Sequence, residues 1–266
     1  MSDYSLRFGG IERLYGAQAS RDIQQAHICV IGIGGVGSWA AEALARNGIG
    51  QITLIDLDDI CVTNTNRQIH ALADTIGESK VEVMANRLRQ INPDCQVNEV
   101  DDFVTEDNLR QLLSNNYDYV IDAIDSVPIK TAIIQFCKRN KIPVITIGGA
   151  GGQTDPTKID ICDLSKTYQD PLLAKVKNQL RRQFNFPRDA KRKFAIDAVF
   201  SSEQLKYPAQ DGSVCHSKQS QHGSMRLDCN MGFGAATHVT ASFAFVAVAR
   251  VMEKYLARKQ RQRANQ

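Results

Sequence analysis

No C-x-x-C pair occurs among the seven cysteines of this 266-residue chain, no secretory leader precedes the first strand pattern, and no internal repeat or low-complexity tract is evident. Scattered thiols without a leader exclude a secreted disulfide framework, so a reduced, cytoplasmic protein is expected. Without repeats, the organisation has to come from alternating hydrophobic periods. Long apolar runs are scarce too. The stretch MGFGAATHVTASFAFVAVA at 231–249 is long enough to be weighed as a membrane span. Its Thr237, His238, Thr240, Ser242, two glycines and small residues favour a helix buried in a core or a subunit interface.

With 43% hydrophobic and 23% charged residues, the chain can bury one sizeable core, so 1–266 is read as a single domain. The net charge of +3 hides an asymmetry. Between 175 and 193, eight bases face only Asp189, and from Arg250 onward six bases face only Glu253. The remainder holds 18 bases against 27 acids, so positive charge is confined to two blocks. Such blocks suit nucleic acid phosphates, and equally suit a solvated helix face and a basic tail.

Apolar strand patterns cover 27–31, 51–55, 96–100, 117–121 and 143–147, alternating with helical patterns at 36–47, 80–91, 105–113 and 129–140. Strands alternating with helices give an α/β fold, a Rossmann-like, doubly wound, mostly parallel sheet. After GGAGGQ at 148–153 the pattern loosens into an elaborated C-terminal half. There 157–162 and 194–200 read as strands, 171–184 as a basic helix, 207–225 as polar and turn-rich, and 234–256 as an apolar helix. Residues 1–150 form the nucleotide-binding half, and 151–266 are expected to bind substrate and to dimerise.

In GIGGVG, Gly32 permits a tight turn out of the first strand, Gly34 and Gly35 let backbone amides approach phosphate, and Gly37 lets the helix pack close to the sheet. Asp56 ends the second strand, 19 residues after Gly37, where a carboxylate accepts from ribose hydroxyls. Up to this point NAD and ATP are equally served. The next loop adds Asn64, Asn66, Arg67 and Gln68, and Lys80 starts a helix. A pyrophosphate already cradled by helix amides has little use for these cations, whereas a triphosphate undergoing substitution needs them. The fourth strand ends in VIDAIDSV, placing Asp122 and Asp125 outside a carboxyl edge. Taken alone, Asp125 serves equally as a helix cap or as a Mg²⁺ ligand. Beside Arg67 and Lys80, the metal role prevails.

Together these residues resemble the ubiquitin-activating-enzyme-like adenylating proteins, which include the molybdopterin and thiamine sulfur-carrier activators. The matching pieces are GIGGVG at 32–37, IDLDD at 55–59, NTNRQ at 64–68, GESKVE at 77–82, INPD at 91–94 and DAIDSV at 122–127. The resemblance implies Asp56 on the ribose, Asn64, Arg67 and Lys80 on the phosphates and Asp125 on Mg²⁺, with Asp58 and Gln68 in the same nucleotide site. Sulfur-carrier activators usually hold zinc through paired C-x-x-C motifs, so no zinc is expected here. They also carry an N-terminal arginine that crosses a dimer to the partner's ATP; RFGGIERLYG at 7–16 offers Arg7 and Arg13, of which Arg13 is the choice.

RFGGIERLYG, GGAGGQTDPTKI at 148–159 and the segments DGSVCHSK and LDCNMGFGAAT narrow the likeness to a tRNA-modifying branch. That resemblance implies ATP-dependent cyclisation of the threonylcarbamoyl group on the adenosine next to the anticodon. It also implies a homodimer, a monovalent cation (Na⁺ or K⁺) and a link to a cysteine desulfurase and its sulfur-acceptor protein. The tRNA is then expected along Lys175, Lys177, Arg181, Arg182, Lys191, Arg192 and Lys193. Phe184 and Phe186 interleave with that block, and aromatics at such spacing belong more often to a core than to a base-stacking surface. Cys215 and Cys229 are the thiols nearest the expected substrate half; either could accept a persulfide in a sulfur relay, with Cys229 the candidate thiol, while a passive buried or loop cysteine is the plainer reading. Rival readings are an activator of a ubiquitin-like sulfur carrier, which the missing zinc motifs oppose, and a sulfur-acceptor or scaffold protein, which leaves the adenylation residues idle.

Overall fold

The computed structural model describes residues 3–113, 117–189, 191–209, 211–216 and 233–265. Two helices open the chain, Asp3–Tyr15 (α1) and Ala17–Gln25 (α2). Alternation then follows: His27–Ile31 (β1), Gly37–Arg46 (α3), Gln51–Ile55 (β2), Lys80–Ile91 (α4), Gln96–Val100 (β3), Leu109–Leu112 (α5), Tyr119–Asp122 (β4), Val127–Arg139 (α6) and Val144–Ile147 (β5). The second half adds Ile159–Asp163 (β6), Pro171–Gln183 (α7), Asp197–Ser201 (β7), a small hairpin of Tyr207–Pro208 (β8) and Val214–Cys215 (β9), and the 28-residue helix Thr237–Ala264 (α8).

The strands form one sheet in the order β3-β2-β1-β4-β5-β7-β6, parallel except for β6, which runs antiparallel to β7. Side chains alternate faces along each strand, and both faces are covered. Ile28 and Val30 of β1 join the cluster that contains α3, α4 and α8, while Cys29 and Ile31 join the cluster under α6 and α7. Strands buried on both sides read as short β-branched runs, which is why β1 and β2 coincide with their expected limits; β3, at the sheet edge with only Val97 buried, coincides as well.

Several elements depart from expectation, two of them for a clear local reason. The helix expected at 105–113 shrinks to one turn, because Thr105 and Asn108 exchange side-chain-to-backbone hydrogen bonds of 2.8 and 3.3 Å that compete with the helix ladder. The strand expected from 157 starts at Ile159, since the Asp155 carboxylate accepts from the Thr157 N–H and winds Pro156–Lys158 into a 3-10 turn. The helices α1 and α2 lie where only a motif was read.

No helix among the described residues is long and apolar enough to cross a membrane. The described part of the apolar stretch begins α8, whose Val239, Phe243, Ala247 and Val251 are buried in the core; 231 and 232 lie outside the described residues. The C-terminal basic block fastens this helix. Arg250 meets Asp197 at 3.0 Å, Arg258 meets Asp118 at 2.8 Å, and Arg263 meets Asp22 at 2.7 Å. These cations are therefore engaged with the fold's own acids.

Beneath the sheet's carboxyl edge sits a fully buried pair, Lys130 Nζ and Asp122 Oδ2, 2.9 Å apart. The Thr146 hydroxyl donates to the same carboxylate at 2.8 Å, and Lys130 also donates to the Asp122 carbonyl at 3.2 Å. Removing one partner strands the other charge without solvent, so Lys130→Met is expected to lower unfolding free energy by about 3–5 kcal/mol in urea titration. The paired change Lys130→Met with Asp122→Leu should recover most of that loss. At the glycine turn, a Cβ on Gly37 would lie 1.8 Å from the Gly32 carbonyl oxygen, whereas one on Gly34 meets nothing closer than Gln68 Nε2 at 3.9 Å. Thermal unfolding should show Gly37→Ala destabilised by more than about 3 kcal/mol and Gly34→Ala close to the unaltered protein.

Candidate nucleotide-binding site

The strand order places β1 between β2 and β4, where the direction of winding reverses, so the loops leaving these three strands frame a crevice at the carboxyl edge. Gly32 follows β1 with φ of 86°, a left-handed conformation suited to glycine, and its N–H donates to the Ile55 carbonyl at 2.9 Å. The chain then enters α3 without a side-chain cap, leaving first-turn amides to face an anion.

Asp56 joins two loops. Its Oδ2 accepts the Ile33 N–H at 2.5 Å and its Oδ1 accepts the Asp58 N–H at 2.9 Å. Each carboxylate oxygen retains a further lone pair, which suits donation from ribose hydroxyls. Asp58 in turn receives Lys80 Nζ at 2.7 Å, while the Lys80 N–H donates to the Asp58 carbonyl at 3.1 Å. The Lys80 side chain is buried and its acid partner is exposed. This arrangement directs a cation from the start of α4 toward the acid-rich loop after β2.

The loop between them is built on itself. Asn64 is buried, and its Oδ1 accepts the Cys61 N–H at 3.0 Å, fixing the 3-10 turn Val62–Asn64. The Arg67 guanidinium donates to Thr63 O at 2.8 Å and to Asn66 Oδ1 at 3.0 Å, and its methylenes lie over Gly35, where a Cβ would come within 3.1 Å. Trp39, which the sequence reading missed, donates from Nε1 to the Arg67 carbonyl at 3.0 Å and ties this loop to the first turns of α3. Gln68 lies beside Gly34, and its buried Oε1 has no protein partner. His70 was also missed. Burial, with Lys80 and Arg87 nearby, pushes it down to about 4, so it is neutral at pH 7.

The two aspartates after β4 have separate fates. Asp122 is committed to Lys130 and Thr146, whereas Asp125 is exposed in the loop before α6. Ser126 occupies the N-cap position of α6 without a side-chain cap bond, so Asp125 is not the cap. Among the described residues no group of three His, Cys, Asp or Glu can hold a metal. A lone exposed carboxylate fits an ion such as Mg²⁺ that takes most of its ligands from phosphate and water.

The remaining expected residues lie apart. Arg13 rests against Gly9 and Gly10 of its own helix, and Arg7 pairs with Asp3 at 2.8 Å. Their helix packs Tyr4 and Phe8 on Gly48, which precedes β2 at the opposite edge of the sheet. In the basic block, Lys177 donates to the Thr167 carbonyl at 2.6 Å and Arg181 covers the Phe194 ring at 5.3 Å; Lys175, Arg182, Lys191, Arg192 and Lys193 are exposed. Phe184 and Phe186 pack against the core, the latter edge-on to Phe194, as the plainer reading of their spacing had it. The described cysteines form no disulfide, and burial pushes Cys137 up to about 12 and Cys95 to about 11, away from thiolate chemistry. Cys215 is half-buried against the Tyr207 carbonyl; Cys229 lies outside the described residues.

Comparison with known proteins covers both halves. Residues 10–266 match the model of the ThiF family. The tRNA threonylcarbamoyladenosine dehydratase of Escherichia coli is 60% identical over 256 residues, spanning 96% of each chain. A crystal structure of the E. coli enzyme in complex with ATP superposes with a TM-score of 0.88 at 56% identity, covering 98% of both chains. One in complex with AMP gives 0.87 at 56% identity, covering 97% of this chain and 98% of that one. The chain belongs to the ThiF family.

Proposed function

We propose that this chain is an ATP-dependent tRNA-modifying enzyme that cyclises the threonylcarbamoyl group of threonylcarbamoyladenosine with loss of water. The observation that carries this reading is similarity to the E. coli dehydratase across 96% of both chains, which includes the substrate half as well as the nucleotide half. The glycine turn, Asp56, Arg67, Lys80 and Asp125 then have a common purpose.

A free carboxylate is a poor acyl donor, because oxide would have to leave. One oxygen of the threonyl carboxylate attacks the α-phosphorus of ATP, and the bond to the β-phosphate oxygen breaks to release pyrophosphate. The α3 N-terminus, Asn64, Arg67 and Lys80 are assigned to hold the phosphates while charge moves onto the leaving group. Mg²⁺ held by Asp125 would neutralise phosphate charge. The ureido group of the same modification then attacks the activated carbonyl, loses its proton, and expels AMP carrying one former carboxylate oxygen. Because that nucleophile is already tethered, proximity supplies much of the second step and no enzyme cysteine is needed. The placement of Arg13 at the far edge from its own glycine turn supports action on the ATP of a second subunit in a homodimer. A cytoplasmic setting, a monovalent cation and a cysteine desulfurase with its acceptor complete the proposal and rest on the resemblance alone.

Incubation with ATP, Mg²⁺ and modified tRNA, followed by digestion and mass analysis, should show the nucleoside lighter by one water. Arg67→Ala and Asp125→Ala should each lower kcat/KM by about 100-fold or more with an unchanged Tm. ATP consumption without that mass change would assign another carboxylate substrate. Mixing Arg13→Ala with Asp125→Ala subunits should restore activity above either variant alone, since one site of each mixed dimer is then intact. No restoration would place Arg13 outside the partner's site.

A further inference from the structure

Away from the glycine turn, a recess of about 370 Å³ opens between the corner at 168–171, the start of α7 and the β8–β9 hairpin. Tyr168 forms one wall. It is 56% exposed, and its ring is held in place edge-on by Phe200 at 5.1 Å. The corner beneath it is tightly built. Gln169 adopts φ of 58°, and the buried Asp170 accepts the Leu173 N–H at 2.9 Å and the Gly149 N–H at 3.0 Å. Tyr207 lines the recess from the hairpin, itself packed on Phe233 at 5.0 Å. Gln204 and His216 supply an amide and an imidazole on exposed residues, joined by a bond from Gln204 Nε2 to the His216 carbonyl at 3.4 Å.

Flat aromatic walls with polar edges suit a planar heteroaromatic ring. The carboxylate present, Asp170, is engaged with backbone amides. Lys177 in the lining brings positive charge, and α7 carries the exposed Lys175 and Arg182 beyond it. Aromatic stacking beside cations is how proteins hold unpaired bases and their phosphates.

The recess is also wired to the nucleotide site. Phe233 lies over Gly151 and Gly152 and packs on Tyr207, whereas Asn66, next to Arg67, donates to the Ala235 carbonyl at 2.8 Å and receives Thr237 on its own carbonyl. Residues 233–237 span at most about 17 Å when extended. At about 3.4 Å per stacked nucleotide, that is a separation of a few nucleotides.

We propose that this recess receives an unpaired nucleobase flanking the modified adenosine, stacked on Tyr168. The proposal rests on the tRNA-dehydratase reading. Its test uses full-length protein and a modified anticodon stem-loop RNA, with a second set in which each flanking nucleotide is made abasic in turn. Tyr168→Ala should raise KM for the RNA at least about fivefold, leaving kcat, KM for ATP and Tm nearly unchanged. Tyr168→Phe should restore KM, and His216→Ala should raise it in a protein whose Tyr168 packing is intact. One abasic RNA should weaken binding to the unaltered enzyme but not further weaken Tyr168→Ala. If the unaltered enzyme dehydrates the RNA while Tyr168→Ala keeps its KM, or if the two losses add, the recess has no such role. If the unaltered enzyme does not dehydrate the RNA, the functional reading falls and the recess assignment falls with it.

Discussion

The carboxylate of Asp56 is the joint on which the nucleotide site depends. One oxygen accepts the Ile33 N–H from the glycine turn and the other accepts the Asp58 N–H from the loop after β2. Hydrogen bonds to a carboxylate are charge-assisted and directional, so two loops from different strands are held in one register. Asp58 then fixes Lys80 at the head of α4, and the turn at 62–68 lays Arg67 across Gly35. These groups thus come from separate stretches of chain that meet because β1, β2 and β4 are neighbours in the sheet.

Charge is divided by a different rule. The C-terminal bases pair with Asp197, Asp118 and Asp22 across 53, 140 and 241 residues of sequence, so α8 is anchored along its length rather than left as a free basic tail. The block around α7 is split, with Lys177 and Arg181 turned to the protein and the other six cations exposed. Two runs that look alike in sequence therefore have unlike uses: one closes the fold, and the other leaves cations beside an aromatic recess.

Much of this was legible in the sequence, because strands buried on both faces show as apolar runs and a tight turn next to phosphate demands glycine. The limits of β1 and β2 follow from the first signal, and those of α4 from its helical spacing of Val81, Met84, Ala85 and Leu88 on the buried face. The orientation of β6 was not legible, since an apolar strand reads the same in either direction. Nor was the commitment of Asp122 to Lys130, which depends on a helix packing its cation under the sheet. Trp39 escaped notice for a related reason: it holds the loop from behind through the Arg67 carbonyl, and no spacing marks such a contact, while the burial of His70 appears only once the chain is folded. The recess at Tyr168 is assembled from α7, the corner before it and a hairpin some forty residues on, which only the fold brings together.

The central chemical step is direct transfer of a substrate oxygen to the α-phosphorus. The most direct measurement labels the threonyl carboxylate of the modified tRNA with ¹⁸O and weighs the nucleotide products. Adenylation requires AMP carrying one ¹⁸O, with unlabelled pyrophosphate. Label appearing in inorganic phosphate beside ADP, with none in AMP, would contradict it and place the attack on the γ-phosphorus instead.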